Sequence, residues 1–145
     1  MTKVKIYIET TAHGPNQKKG KYMYMLETIR KGQAETRFGT GEGSDGENGL
    51  TLRAIIVSLR RLTRPCAVTV ITPCDHVRGM ISGGWPQKWS KSGWINARGK
   101  PVRNEDLWKE YLKAAGQHEI RAEIGANKYK DWMIRNLERG EEWRE

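Results

Sequence analysis

Cysteine is scarce in this chain: Cys66 and Cys74 are the only two among 145 residues. They lack the paired spacing of a zinc site and are too few for a disulfide framework, which leaves two reduced, core-like thiols. Long apolar runs are missing as well. No stretch approaches the ~20 residues that a membrane span needs. The opening MTKVKIYIETT has no signal-peptide core and starts directly on an alternating pattern. The expectation is a soluble, cytoplasmic protein with no membrane partner. There is no internal repeat and no low-complexity segment. Acid is in deficit, with 17 Asp+Glu against 26 Lys+Arg and a formal net charge of +9. Such a balance favours a polyanionic partner.

What is present alternates between two periods. Residues 3–9 place Val4, Ile6 and Ile8 on one face of a strand, and residues 21–28 alternate again. Residues 33–39 form a third, more polar strand after the Lys31-Gly32 turn, so the first three strands predict an antiparallel meander. Residues 41–49, GEGSDGENG, read as a loop. Leu52, Ile55, Ile56, Leu59 and Leu62 then recur at helical spacing, predicting a helix over 50–62 with Asn48 as N-cap. Cys66 to Ile71 is an apolar run suited to a strand buried on both faces. A short helix is expected over 75–82, a helix over 105–115 capped by Asn104, a fifth strand over 118–124 and a last helix over 128–138. The sum is one α/β domain over 1–140 with a charged tail at 141–145. Its mixed five-stranded sheet combines three antiparallel strands with βαβ-type parallel strands, flanked by helices.

Between the second and third helices, residues 83–103 carry three Trp, five Lys/Arg and no acid. Trp85 to Trp108, WPQKWSKSGWINARGKPVRNEDLW, resembles the basic protrusion and following helix of bacterial type 1 ribonuclease H. The run GWxxxxGKPVxNxDLW is long and unusual in composition. Residues 47–81 resemble that family's first helix, fourth strand and second helix, and KIYIET and QHEIRAEI its first and fifth strands, so the resemblance covers nearly the whole chain. It implies the ribonuclease H-like fold. It also implies an enzyme cleaving the RNA strand of RNA–DNA hybrids with two Mg²⁺ ions held by four carboxylates.

Position by position, the resemblance puts those carboxylates on Glu9, Thr51, Pro73 and Asp131. Glu9 keeps the charge one methylene further out, Thr51 and Pro73 supply none, and Asp131 is retained. Glu9 and Asp131 are therefore the candidate catalytic and metal-ligating remnants. No cofactor is expected, with Mg²⁺ or Mn²⁺ bound weakly if any activity remains. Asp45, Glu47 and Asp75 lie near the lost positions. Without the family, Glu9 is a solvated strand-end acid, and Asp131 is a surface ion-pair member beside Lys128 and Arg135.

For nucleic acid, the resemblance and the one-sided charge single out Asn48, Trp85, Lys88, Lys91, Arg98, Lys100, Arg103 and Asn104. Trp89 and Trp108 read as packing aromatics. The expectation is a monomer that binds an RNA–DNA hybrid or double-stranded RNA and is catalytically impaired. The alternatives are a metal-dependent ribonuclease H with a rearranged site, and a scaffold whose basic face meets an acidic protein.

Overall fold

A computed structural model describes residues 1–14 and 16–139, so the charged tail expected at 141–145 lies outside the described residues. The chain runs β1 (Thr2–Thr10), β2 (Gly20–Arg30), β3 (Gln33–Gly43), α1 (Gly46–Arg60), β4 (Cys66–Ile71), α2 (Asp75–Ser82), α3 (Trp85–Lys91), α4 (Glu105–Ala115), β5 (Glu119–Glu123) and α5 (Lys130–Arg139). The five strands form one sheet in the order β3-β2-β1-β4-β5. β1 pairs antiparallel with β2, and β2 with β3, while β4 runs parallel to both β1 and β5. This is the mixed sheet that the alternation and the apolar Cys66–Ile71 run imply.

Strand alternation gives the sheet two unequal faces. Val4, Ile6, Ile8, Val68 and Val70 point to one side, where Leu52, Ile55, Ile56 and Leu59 of α1 meet them, all buried. Each such aliphatic side chain contributes about 1.5–3 kcal/mol on leaving water. α4 packs on the outside of α1 through Leu107, Trp108 and Tyr111. The other face carries a smaller cluster of Tyr7, Met23, Met25 and Ile71, covered by Met133 and Leu137 of α5. Both cysteines are free and buried.

Several boundaries differ from the sequence-based expectation, each for a physical reason. β3 runs on to Gly43, through residues that read as loop. A Cβ on Gly39 would lie 2.4 Å from the Tyr24 hydroxyl, and one on Gly41 would lie 2.3 Å from Tyr22. These glycines sit opposite the two tyrosines in the β2–β3 register and leave space for their rings. α1 begins at Gly46, so Asp45 and not Asn48 occupies the N-cap; Gly46 itself has φ +77°. Asp45 makes no capping bond and instead accepts from Arg53 on the next turns of the helix. α3 was not expected as a helix; Pro86 in its first turn suits the fixed φ of a helix start. β5 is trimmed to 119–123, and α5 spans 130–139 where 128–138 was expected.

The start of α5 is tied to β2 by a buried acid. Glu27, 4% exposed, accepts from the Tyr129 hydroxyl and pairs with Lys128 Nζ at 2.8 Å. Lys128 therefore pairs across the sheet, not with Asp131 as its spacing suggested. Burial alone would raise the Glu27 carboxyl, but the bonds from Lys128 and Tyr129 outweigh it and hold the group below its ordinary value. Glu27→Ala is expected to cost on the order of 2 kcal/mol in urea unfolding at neutral pH. Because the folded pKa lies below the unfolded one, the stabilisation is present above the unfolded value near ~4.3. It is lost as pH falls through the folded value, so parent and variant should converge in acid.

Candidate nucleic-acid interface and cleft

The protrusion is built on a tryptophan stack. Trp89 of α3 lies 5.7 Å from Trp108, 6.3 Å from Trp85 and 6.4 Å from Trp94, and Trp108 continues to Tyr111 in the core at 5.5 Å. Trp108 is 1% exposed. Trp89 and Trp108 thus anchor the segment, the packing role their spacing suggests. Trp85, at the rim, is 39% exposed with Lys88 Nζ 4.5 Å above its ring. Beyond α3 the chain turns back on itself through an Ile95–Pro101 bridge and an Asn96 N–H bond to the Lys100 carbonyl of 2.8 Å. Asn96 Oδ1 also accepts from the backbone N–H groups of Arg98 and Lys100, at 2.9 and 3.1 Å. That turn holds Arg98 and Lys100 in one arrangement before any ligand arrives. Sequence reading missed this role of Asn96. Its signal was a turn-forming residue ahead of Gly99.

Lys88, Lys91, Arg98, Lys100 and Arg103 are all exposed. Asn104 differs from them. It takes a left-handed φ of 58° at the N-cap of α4 without a side-chain capping bond. It lines a groove shared with four acids, Asp45, Glu105, Asp106 and Glu110, against three cations, Arg53, Lys109 and Lys113. Asn48 is half-buried within the first turn of α1, where its Oδ1 accepts from Cys74 Sγ at 3.2 Å.

At the C-terminal end of β1 lies a cleft of about 530 Å³. Glu9 sits in it, 3% exposed, with the Asn127 amide donating to its Oε2 at 3.0 Å. Burial raises the Glu9 carboxyl, against the opposing pull of Asn127, Lys130 and His13. Pro73, Asp75 and Arg78 line the same cleft, together with Thr72, Asn127 and Lys130. Thr51 is buried on α1 beside Cys74, the neighbour of Pro73, and offers that thiol a hydrogen bond. Asp131 is exposed in the first turn of α5, and the cleft-lining residue of that turn is Lys130. Glu9 and Pro73 thus share a cleft with Thr51 behind it, while Asp131 lies outside its lining.

These donors do not fit a pair of divalent cations. Hard cations need several oxygen anions at short range. Here one buried carboxylate carries an amide, the second lining carboxylate, Asp75, is engaged by Arg78, and Lys130 adds positive charge. Among the described residues, no three His, Cys, Asp or Glu gather as a metal group. No described helix is long and apolar enough to cross a membrane.

The comparisons with known proteins agree on the family. Residues 1–124 match the RNase H family. A ribonuclease H of Lachnoclostridium phytofermentans is 34% identical over 120 residues, covering 81% of this chain and 76% of its own length. One from Erythrobacter litoralis is 36% identical over 120 residues, covering 83% and 80%. In fold, the chain resembles the crystal structure of LC9-RNase H1, a type 1 RNase H with the type 2 active-site motif. The TM-score is 0.73 at 19% identity, over 94% of this chain and 72% of that one. The foamy viral protease-reverse transcriptase in complex with RNA/DNA hybrid gives 0.71 at 14% identity, over 96% of this chain and 20% of that one. The match over residues 1–124, with relatives covered along most of their length, makes this chain a member of the RNase H family.

Proposed function

We propose that this protein binds a nucleic-acid duplex, RNA–DNA hybrid or double-stranded RNA, through residues 83–103, and cleaves it poorly or not at all. The observation that carries the reading is the protrusion. Five exposed cations and a rim tryptophan stand on a tryptophan-anchored support, with no acid in the segment. A phosphate-tracking surface needs such an arrangement, and shape-based duplex recognition requires no metal. Poor cleavage follows from the resemblance, which puts Thr51 and Pro73 at carboxylate positions, and from the cleft, where Pro73 and the cationic Lys130 line the wall. The cations of the cleft weigh against the rearranged-enzyme reading. Family membership and a solved neighbour held with RNA/DNA hybrid make nucleic acid a better partner for the basic face than an acidic protein.

Titration of the full chain with labelled RNA–DNA hybrid, followed by fluorescence anisotropy, tests this. Saturable binding that weakens steeply with salt is expected, with the RNA strand left intact in Mg²⁺. A chain that ignores hybrid and double-stranded RNA at low salt would leave the scaffold reading in its place.

A further inference from the structure

We propose that the cleft at the end of β1 seats a backbone phosphate of the bound duplex directly against Lys130 and Arg78, with no divalent cation between protein and strand. This inference rests on the duplex-binding reading and adds where, and by which charges, the strand is held.

Two cations stand in the cleft with Glu9, one on α2 and one on α5. The Arg78 side chain is only 16% exposed. Its guanidinium donates to the Thr72 carbonyl at 3.0 Å and pairs with the exposed Asp75 carboxylate. These two anchors fix its position, and a guanidinium has five N–H donors, so donors remain for a phosphate. Lys130 is exposed and, among the described residues, makes no ion pair within 4 Å, although its charge acts on the Glu9 carboxylate beneath it. Its flexible stem lets the ammonium meet an anion entering the cleft. Glu9 is buried beneath and carries the Asn127 amide on one oxygen.

The charge count decides the role. Glu9 and Asp75 against Arg78 and Lys130 leave the lining formally neutral before any ligand arrives. A cleft lined by carboxylates alone would repel a phosphodiester until divalent cations neutralised it. This one supplies its own counter-charge, and its unpaired member is a lysine open to solvent. A phosphate there displaces counterions from the strand, as any lysine contact does, and needs no metal bridge.

The test compares hybrid binding by the full chain in EDTA and in Mg²⁺ at matched ionic strength, then repeats it with variants. Parent affinity in EDTA should equal or exceed that in Mg²⁺, because Mg²⁺ adds no contact and competes for the strand's phosphates as a counterion. Lys130→Gln should weaken binding about fivefold or more at low salt and flatten the log–log salt slope by about 0.7–0.9, the value of one phosphate. Lys130→Glu should weaken it further. Lys3→Gln, at the opposite end of β1, should leave both affinity and slope unchanged. Both Lys130 variants alter an exposed side chain, so unfolding by circular dichroism should match the parent. Parent-like affinity and slope in Lys130→Glu, or binding that requires Mg²⁺, would overturn the inference while duplex binding itself stood. A parent chain that binds no duplex at any salt concentration would overturn the duplex reading first, and this inference with it.

Discussion

Replacing Lys88, Lys91, Arg98 and Lys100 together with alanine is expected to lower affinity for an RNA–DNA hybrid by about a hundredfold or more at low salt. The log–log salt dependence should flatten by about 3, since each neutralised phosphate contributes about 0.7–0.9. All four side chains are exposed, and the tryptophan stack beneath them is untouched, so the variant should unfold like the parent. The loss should exceed the simple sum expected of a mobile lysine cluster, because Asn96 holds the backbone of Arg98 and Lys100 in place. A quadruple variant that binds like the parent at every salt concentration would reduce the protrusion to a solvated loop. The basic composition would then have to serve another partner.

Cleavage of the RNA strand in Mg²⁺ should fall orders of magnitude below that of a family member with all four carboxylates. The reason is charge. A metal-assisted in-line displacement needs cations at the attacking and leaving oxygens, and this cleft offers them one buried, amide-capped carboxylate and Asp75, which Arg78 already engages, with Lys130 beside them. Restoring the lost acids separately should have unequal consequences. Pro73 is exposed, so Pro73→Asp should be tolerated. Thr51 is 1% exposed against Cys74, and Thr51→Glu would bury a charge there, at a cost of about 3 kcal/mol read by urea unfolding. Robust Mg²⁺-dependent cleavage by the parent, abolished by Glu9→Gln, would show a rebuilt catalytic site and place the enzyme reading first.

The sequence by itself determined the five strands and every helix but α3, because strand and helix periods are local properties of the chain. Val4, Ile6 and Ile8 fix one buried face, and Leu52, Ile55, Ile56 and Leu59 fix the helix that covers it. It also determined the family and the one-sided charge of residues 83–103, which need no coordinates to read. Tertiary structure decided the rest, because the deciding contacts join residues far apart in the chain. Gly41 reads as loop until Tyr22 on the neighbouring strand shows why glycine continues β3. Lys128 reads as a partner of Asp131 by helical spacing, yet it reaches Glu27 on β2. Which residue of the first turn of α5 lines the cleft depends on the phase of that helix over the sheet. Met133 and Leu137 set that phase by burying against Met23 and Met25, and it is Lys130, not Asp131, that lines the cleft with Glu9.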